Sequence, residues 1–183
     1  MAVTRLDPKT ALVVIDLQKG LISYPTIHPV SEMVARSKRL AEAFRERGLP
    51  VVLVNVAGGA PGRTEQQRPP GERPPEWAEL IPDLGARDGD IRVTKRSWGA
   101  FPHTDLEQRL RDAGVTQVVL TGIATSIGVE STAREAYALG FNVVLVTDAM
   151  TDMDEGAHAN SIAKIFPKLG ETGTVEEVIE LLP

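Results

Sequence analysis

The sequence predicts an α/β fold in which helices cover both faces of a mostly parallel sheet. Three features support this prediction: short apolar runs recur along the chain, amphipathic segments separate them, and glycines follow those segments. Near-continuous apolar runs are typical of strands buried on both faces, and their alternation with helices is typical of parallel sheets. The runs that predict strands lie at residues 11–17, 51–56, 91–94, 118–121 and 143–147.

The segments between these runs carry helix signals. Residues 30–48 place Val34, Leu40 and Phe44 on one face, and Gly48 ends the helix. Residues 104–107 (TDLE) have the spacing of a capping box, which predicts a second helix that Gly114 terminates.

A third helix is predicted from residue 127 to Gly140, ahead of the last long apolar run. The segment that begins at Glu171 predicts a short edge strand and a final helix, with Thr174 as its N-cap and Glu177 three residues on. These elements predict a three-layer, Rossmann-like fold with about six strands in a single domain, residues 1–183.

Composition limits the function classes. The chain has 183 residues, 42% hydrophobic and 25% charged, and a net charge of −5, which argues against nucleic acid as a partner. It has no cysteine, so disulfides, thiolate zinc sites and thiol nucleophiles are excluded. No apolar run approaches the roughly 20 residues that a bilayer requires. We therefore expect a cytoplasmic protein with a small-molecule substrate and no membrane partner.

Polar residues at the carboxyl ends of the predicted strands are the first candidates for chemistry, because ligands bind there in open α/β sheets. Asp16 closes the first apolar run, Gln18 close behind it is a candidate substrate-binding residue, and Lys95 follows the third run. A buried aspartate next to a lysine is a candidate acid/base pair, because burial and mutual attraction can move both pKa values. The alternative is an ion pair that serves packing alone.

The fourth run leads into a sharp turn and a helix, LTGIATSIGVESTAREAY (residues 120–137). The N–H groups at such a helix N-terminus favour developing negative charge, so the turn is built like an active site. The position where the turn would present a nucleophile is occupied by Gly128.

Three segments together resemble a known family: ALVVIDLQ with Asp16, TKRSWGAF with Lys95, and GIATSIGVESTAREAYALGF with Gly128. In this order and spacing they resemble the isochorismatase-like hydrolases, or cysteine hydrolase superfamily, which includes nicotinamidases, N-carbamoylsarcosine amidohydrolases and isochorismatases. The resemblance covers nearly the whole chain. It implies a hydrolase that assembles as a homodimer or homotetramer.

In the amidase members, the resemblance implies a nucleophilic cysteine at the position that Gly128 occupies here. It also implies a cis peptide bond between Ile123 and Ala124, in a turn that continues through Thr125. The Ala124 and Gly128 amides would then point at one oxyanion.

Isochorismatases also lack the cysteine, and they hydrolyse vinyl ethers. Their resemblance to this chain implies Asp16 as the general acid, Lys95 as the group that holds a substrate carboxylate or tunes Asp16, and Gly128 as the space for the substrate. A neighbouring Lys⁺ lowers the pKa of an aspartate, so a general acid here needs an opposing effect such as burial.

The turn sequence ATSIGVESTAR is closer to the amidase branch with its cysteine replaced, since isochorismatases carry a Tyr-Ala-His type stretch before the glycine. We therefore expect a small, carboxylated substrate other than isochorismate, and hydrolysis of a vinyl ether or a C–N bond. Two alternatives stay open: a catalytically silent binding or scaffold protein, and a chain in which Gly128 replaces an original cysteine through engineering or recent decay.

Other residues are weaker candidates. Tyr24, Trp98 and Phe101 could wall a substrate pocket, although packing explains them equally well. Thr125 and Ser126 are nearby hydroxyls, but no histidine adjoins them in the sequence as a base. No cofactor is implied. No metal site is expected either, since the three histidines are scattered over the sequence: His28, His103 and His158.

Residues 57–75 are crowded with Gly, Pro, Arg and Gln and break the strand–helix rhythm. The segment is either a solvated surface loop or a lid or oligomer arm over the site. As a lid, it would bring one of four side chains to a substrate carboxylate: Arg63, Gln66, Gln67 or Arg68.

Overall fold

The computed structural model describes residues 3–66 and 73–183. Within them, one six-stranded sheet has the order β3-β2-β1-β4-β5-β6, and every neighbouring pair of strands is parallel. The predicted fold class is therefore confirmed. The strands are β1 (Thr10–Ile15), β2 (Val51–Val56), β3 (Ile91–Lys95), β4 (Gln117–Ile123), β5 (Asn142–Thr151) and β6 (Glu171–Gly173).

Helices lie on both faces of this sheet. In the part of the chain that is described, no helix is both long and apolar enough to cross a bilayer. The helices are α1 (Val30–Glu46), α2 (Leu106–Asp112), α3 (Glu130–Ala138), α4 (Glu155–Asn160), α5 (Phe166–Leu169) and α6 (Val175–Glu180).

The sheet separates two apolar cores, which explains why its strands are apolar at successive positions. Leu12 and Val14 belong to the core that contains side chains of α1 and α6. Ala11 and Val13 point the other way, into the core that contains side chains of α2, α3 and α5. Because alternate side chains of a strand face opposite sides, both faces of β1 must be apolar.

The structure differs from three local predictions. The first strand ends at Ile15 instead of residue 17, and β5 continues to Thr151 instead of residue 147. The capping box predicted at Thr104 is wrong, because the Thr104 hydroxyl donates to the Ala100 carbonyl at 2.7 Å and the helix begins two residues later. The capping box predicted at Thr174 is confirmed.

Candidate active site

The site residues lie at the topological switch point of the sheet, where the strand order reverses beside β1. Strands β2 and β3 extend from one side of β1, and β4 to β6 extend from the other. The carboxyl ends of β1 and β4 therefore border the crevice in which α/β sheets bind ligands. Asp16 directly follows β1, and the turn that contains Gly128 directly follows β4.

The backbone at Asp16 explains why β1 ends early. Its φ of 55° lies in the left-handed region of backbone conformation, which residues other than glycine seldom adopt. Its amide still donates to Val54 at 2.9 Å, so the residue is held to β2 while its side chain leaves the strand pattern. Such strained positions cost of order 1–3 kcal/mol and are concentrated at functional sites.

Asp16 and Lys95 form a buried ion pair. Lys95 Nζ lies 2.8 Å from Asp16 Oδ2, and the two side chains are 2% and 6% exposed. Nζ also donates to the carbonyls of Ser97 at 3.1 Å and Trp98 at 2.8 Å. A lysine ammonium has only three N–H donors, so these acceptors use all of them.

Burial outweighs the lysine charge at Asp16. Desolvation raises the pKa of Asp16 from its usual 3.8 to about 6, although the charge and hydrogen bond of Lys95 act in the opposite direction. Asp16 Oδ1 is buried and has no hydrogen-bond partner among the described residues. A carboxyl group in this state can hold a proton near neutral pH and has one oxygen free to exchange it.

The turn after β4 is brought close to Asp16 by two glycines. Gly122 has a φ of 119°, and a Cβ there would lie 2.0 Å from the Ile15 carbonyl oxygen, so only glycine permits this approach. At Gly128, a Cβ would lie 3.2 Å from Asp16 Oδ2 and 3.0 Å from Ile15 Cγ2. The peptide bond between Ile123 and Ala124 is cis.

The turn itself is a π-helical segment, Thr125–Val129, that continues into α3. Its N-terminal end is already occupied, because the Ser126 amide donates to Asp152 Oδ2 at 2.7 Å. Helix N-termini commonly bind a carboxylate in this way.

Sequence reasoning missed a histidine beside this turn. His158 Nδ1 lies 2.8 Å from Thr125 Oγ1, and the His28 ring packs edge-on against His158 with centroids 5.4 Å apart. Burial and then His28 lower the pKa of His158, whereas Asp152 raises it. Thr125 is fully buried and, like Ser126, does not line the cavity, so this histidine has no exposed hydroxyl to activate there.

A cavity of about 250 Å³ opens over the ion pair and the turn. It brings together seven of the ten site residues that the sequence predicts: Asp16, Tyr24, Lys95, Trp98, Ile123, Ala124 and Gly128. The remaining lining residues are Leu21, Val56, Gly58, Arg73, Trp77, Ser97, Ile127 and Met153.

Thr125 and the two other predicted residues, Gln18 and Phe101, serve the fold around the cavity. Gln18 is fully buried; its amide nitrogen donates to the carbonyls of Val56 and Trp77, and its carbonyl accepts from the Val56 amide. Phe101 stacks on Phe141 with ring centroids 5.9 Å apart, inside the core on that face. Neither residue lines the cavity.

The segment at residues 57–75 reaches the cavity with residues that sequence analysis did not single out. Arg73 lies 3.7 Å from the centroid of the Trp77 ring, and both line the cavity. Arg63 and Gln66 are exposed and lie outside the lining. Gln67 and Arg68 lie outside the described residues. The sequence signal that could have identified these two residues is an arginine and a tryptophan close together, at residues 73–77.

A larger cavity, of about 410 Å³, lies at the opposite end of the sheet, beside Gln117 and Asn142 at the starts of β4 and β5. It contains none of the predicted site residues. The described residues contain no cluster of three or more His, Cys, Asp or Glu side chains arranged to hold a metal ion. His28 and His158, far apart in the sequence, nevertheless pack ring against ring.

Comparison with known proteins agrees with this architecture. Residues 10–177 match the model of the Isochorismatase domain. The uncharacterised isochorismatase family protein YwoC of Bacillus subtilis is 45% identical over 179 residues, which cover 94% of this chain and 93% of YwoC. The ureidoacrylate amidohydrolase RutB of Pseudomonas syringae is 29% identical over 176 residues, covering 79% of this chain and 72% of RutB.

Among solved structures, an isochorismatase family protein from Burkholderia thailandensis superposes with a TM-score of 0.94. It is 44% identical, and the match covers 97% of both chains. On the sequence match and the shared fold, this chain belongs to the isochorismatase family of hydrolases.

Proposed function

We propose that this protein hydrolyses a small, carboxylated molecule by acid-assisted addition of water, with Asp16 as general acid and base. The observation that carries this proposal is the Asp16 carboxyl: it is buried on the cavity wall, its pKa is raised to about 6, and Oδ1 has no described partner. With that pKa, roughly one tenth of the molecules carry the proton at pH 7.

Hydrolysis of a vinyl ether is the reaction that requires the fewest catalytic groups from the protein. Asp16 gives its proton to the vinyl carbon, which leaves an oxocarbenium ion. Water adds to that ion, and its proton returns to the Asp16 carboxylate. The resulting hemiketal separates into a ketone and an alcohol, so no covalent enzyme intermediate is required, in keeping with glycine at position 128.

A C–N bond is the second reaction type within this proposal, and the similarity to an amidohydrolase supports it. Water would attack the carbonyl carbon while the Asp16 carboxylate takes its proton. The amides of Ala124 and Gly128 would stabilise the resulting oxyanion. The oxyanion would then re-form the carbonyl as the C–N bond breaks, and Asp16 would return its proton to the departing nitrogen. This route needs Asp16 in its charged form, so its rate should fall below about pH 6, whereas the rate of vinyl ether hydrolysis should fall above about pH 6.

The substrate carboxylate is better assigned to Arg73 than to Lys95. All three donors of Lys95 are used by Asp16, Ser97 and Trp98. Arg73 lines the same cavity, and among the described residues no acidic side chain forms a salt bridge with it. Its guanidinium is stacked on Trp77 and can still present two parallel N–H donors to a carboxylate. Lys95 then serves to hold and tune Asp16.

Binding of benzoate and the neutral isostere benzamide tests this assignment without any need for turnover. Titration calorimetry should show tighter binding of benzoate to the native chain, and Arg73→Gln should remove the preference. Arg63→Gln, a change at an exposed residue outside the cavity, is the matched control. An unchanged preference in Arg73→Gln would exclude Arg73 as the carboxylate receptor.

Turnover is tested with a panel of small carboxylated vinyl ethers and amides, followed by NMR. Asp16→Asn should lower the rate on any substrate found by 10²-fold or more, as is typical for loss of a general acid. Asp105→Asn, at an exposed residue directly before α2, should leave the rate unchanged. Turnover that survives Asp16→Asn would contradict the proposal.

Two other outcomes would support the alternatives. Binding across the panel without turnover would indicate a catalytically silent binding protein. Amidase activity that appears only in Gly128→Cys would indicate a chain whose nucleophile has been replaced. A cytoplasmic location and the absence of a cofactor remain predictions from the sequence.

A further inference from the structure

Glu135 lies on α3, outside the cavity lining, and its carboxylate lies against the loop that follows β3, residues 96–101. Its Oε2 accepts a hydrogen bond from the Phe101 amide at 3.2 Å, and the Ala100 amide also donates to the carboxylate. Burial raises the pKa of Glu135, while these amides and the Lys95 charge act in the opposite direction. The carboxylate is therefore a half-buried anchor for the loop.

Gly99 shows how closely the loop fits this anchor. A Cβ at position 99 would lie 1.9 Å from Glu135 Oε1 and 2.0 Å from Oε2. Real Cβ atoms do not approach other atoms so closely, so a side chain at position 99 would force the Glu135 carboxylate and the loop apart. The Ser97 hydroxyl donates to the Gly99 carbonyl at 3.0 Å, which fixes the loop internally as well.

The same loop determines where the Lys95 ammonium lies. Two of its three acceptors are loop carbonyls, those of Ser97 and Trp98, and the third is Asp16. A displaced loop would take both carbonyls with it. Lys95 would then keep Asp16 as its only acceptor and would have to draw water into the buried pair.

We infer that Glu135 is a positioning residue: it anchors the loop at residues 96–101 and thereby holds the Lys95 ammonium against Asp16. The close contact between Gly99 and Glu135 is where the loop packs most tightly against α3. The effect of this anchor on catalysis rests on the proposed function of Asp16. Its effect on the position of Lys95 does not, and the test of that effect needs no substrate.

The side-chain ¹H–¹⁵N NMR signal of Lys95 reports the position of the ammonium directly. In the native chain it should be protected from exchange with water, because Lys95 is 2% exposed and all its donors are used. Glu135→Ala should abolish the signal while the backbone spectrum shows a folded chain. Glu107→Ala, at an exposed position on α2, should leave it unchanged.

Gly99→Ala gives an independent second variant, because it displaces the loop from the other side of the contact. It should also abolish the Lys95 signal and lower Tm by several degrees. In the Glu135→Ala background the added methyl meets no carboxylate, so the same change should cost much less. An unchanged Lys95 signal in folded Glu135→Ala, or an equal loss of Tm in both backgrounds, would overturn the inference. Neither result would bear on turnover by Asp16.

Discussion

At the scale of single residues, the site depends on a competition between burial and charge at Asp16. The sequence identifies Asp16 and Lys95 as a pair, but it does not say which effect determines the pKa. The structure decides this, because the Asp16 side chain is only 6% exposed and desolvation is the larger effect. Because desolvation is the larger effect, the carboxyl can keep a proton near neutral pH and act as a general acid. If the charge of Lys95 had the larger effect, the pair would stay ionised and serve packing alone.

The raised pKa of Asp16 makes folding stability depend on pH. The pKa of the carboxyl is about 6 in the folded chain and 3.8 in the unfolded one, so the folded chain binds the proton more tightly between these values. Its contribution to stability is therefore present below about pH 4 and is lost as the pH rises to about 6. The difference between the two pKa values corresponds to about 3 kcal/mol of stability.

Urea unfolding of the native chain and Asp16→Asn across this range tests the prediction. The difference in unfolding free energy between the two proteins should shift toward the variant by about 2 kcal/mol from pH 4 to pH 7. A difference that stays constant with pH, or that shifts toward the native chain, would show that Lys95 dominates instead.

Gly128 is the second residue whose size matters. The methyl group of Gly128→Ala would lie 3.0 Å from Ile15 Cγ2, 3.1 Å from the Ile123 carbonyl oxygen and 3.2 Å from Asp16 Oδ2, so these neighbours have to give way by a few tenths of an ångström. We expect a fall in Tm of a few degrees and a marked loss of turnover. Gly62→Ala, where a Cβ meets nothing within 4 Å, is the control. Native-like turnover in Gly128→Ala would show that the space is not required.

At the scale of elements, the cavity depends on contacts between segments far apart in the sequence. Gln18 joins the chain after β1 to the Val56 and Trp77 backbones, and Gly20 lies directly under the Trp77 ring. Strand periodicity could not reveal this, because residues 73–78 contain no strand and no α-helix. Sequence analysis therefore treated Gln18 as a substrate-binding candidate, whereas in the structure it is fully buried behind the cavity lining and holds these backbones together.

Trp77 should lose its place when Gly20 gains a side chain. A Cβ at Gly20 would lie 2.2 Å from the indole, so Gly20→Ala must displace the ring and widen the cavity. In a Trp98→Phe background, Trp77 is the single tryptophan, and its emission should shift to longer wavelength. Gly89→Ala, which meets nothing within 4 Å, should cause no shift. An unshifted spectrum for Gly20→Ala would contradict this packing.

At the scale of the whole molecule, the sequence predicts the sheet well and the site only in part. Apolar runs buried on both faces determine the strands, and strand ends locate Asp16 and Lys95 at one edge. Contacts of the Arg73 and Glu135 side chains arise from tertiary packing between loops and α3, for which periodicity carries no signal. The same holds for His158, which packs against Thr125 from α4.

Self-association is a prediction of the resemblance at this scale. Large apolar side chains stay exposed at the cavity mouth, among them Tyr24 at 44%, Trp98 at 66% and Met153 at 41%. Burial of such side chains favours association. Light scattering should give two or four times the chain mass of 19.8 kDa. A mass of one chain at every concentration tested would contradict the prediction.

The dependence of turnover on pH tests most directly whether Asp16 is the proton donor. With a carboxylated vinyl ether, kcat/KM should be constant at low pH and should fall tenfold per pH unit above about 6, where Asp16 loses its proton. Asp16→Asn should lack both the activity and the inflection. A rate that is flat through pH 6, or that rises with pH on this substrate, would contradict acid catalysis by Asp16.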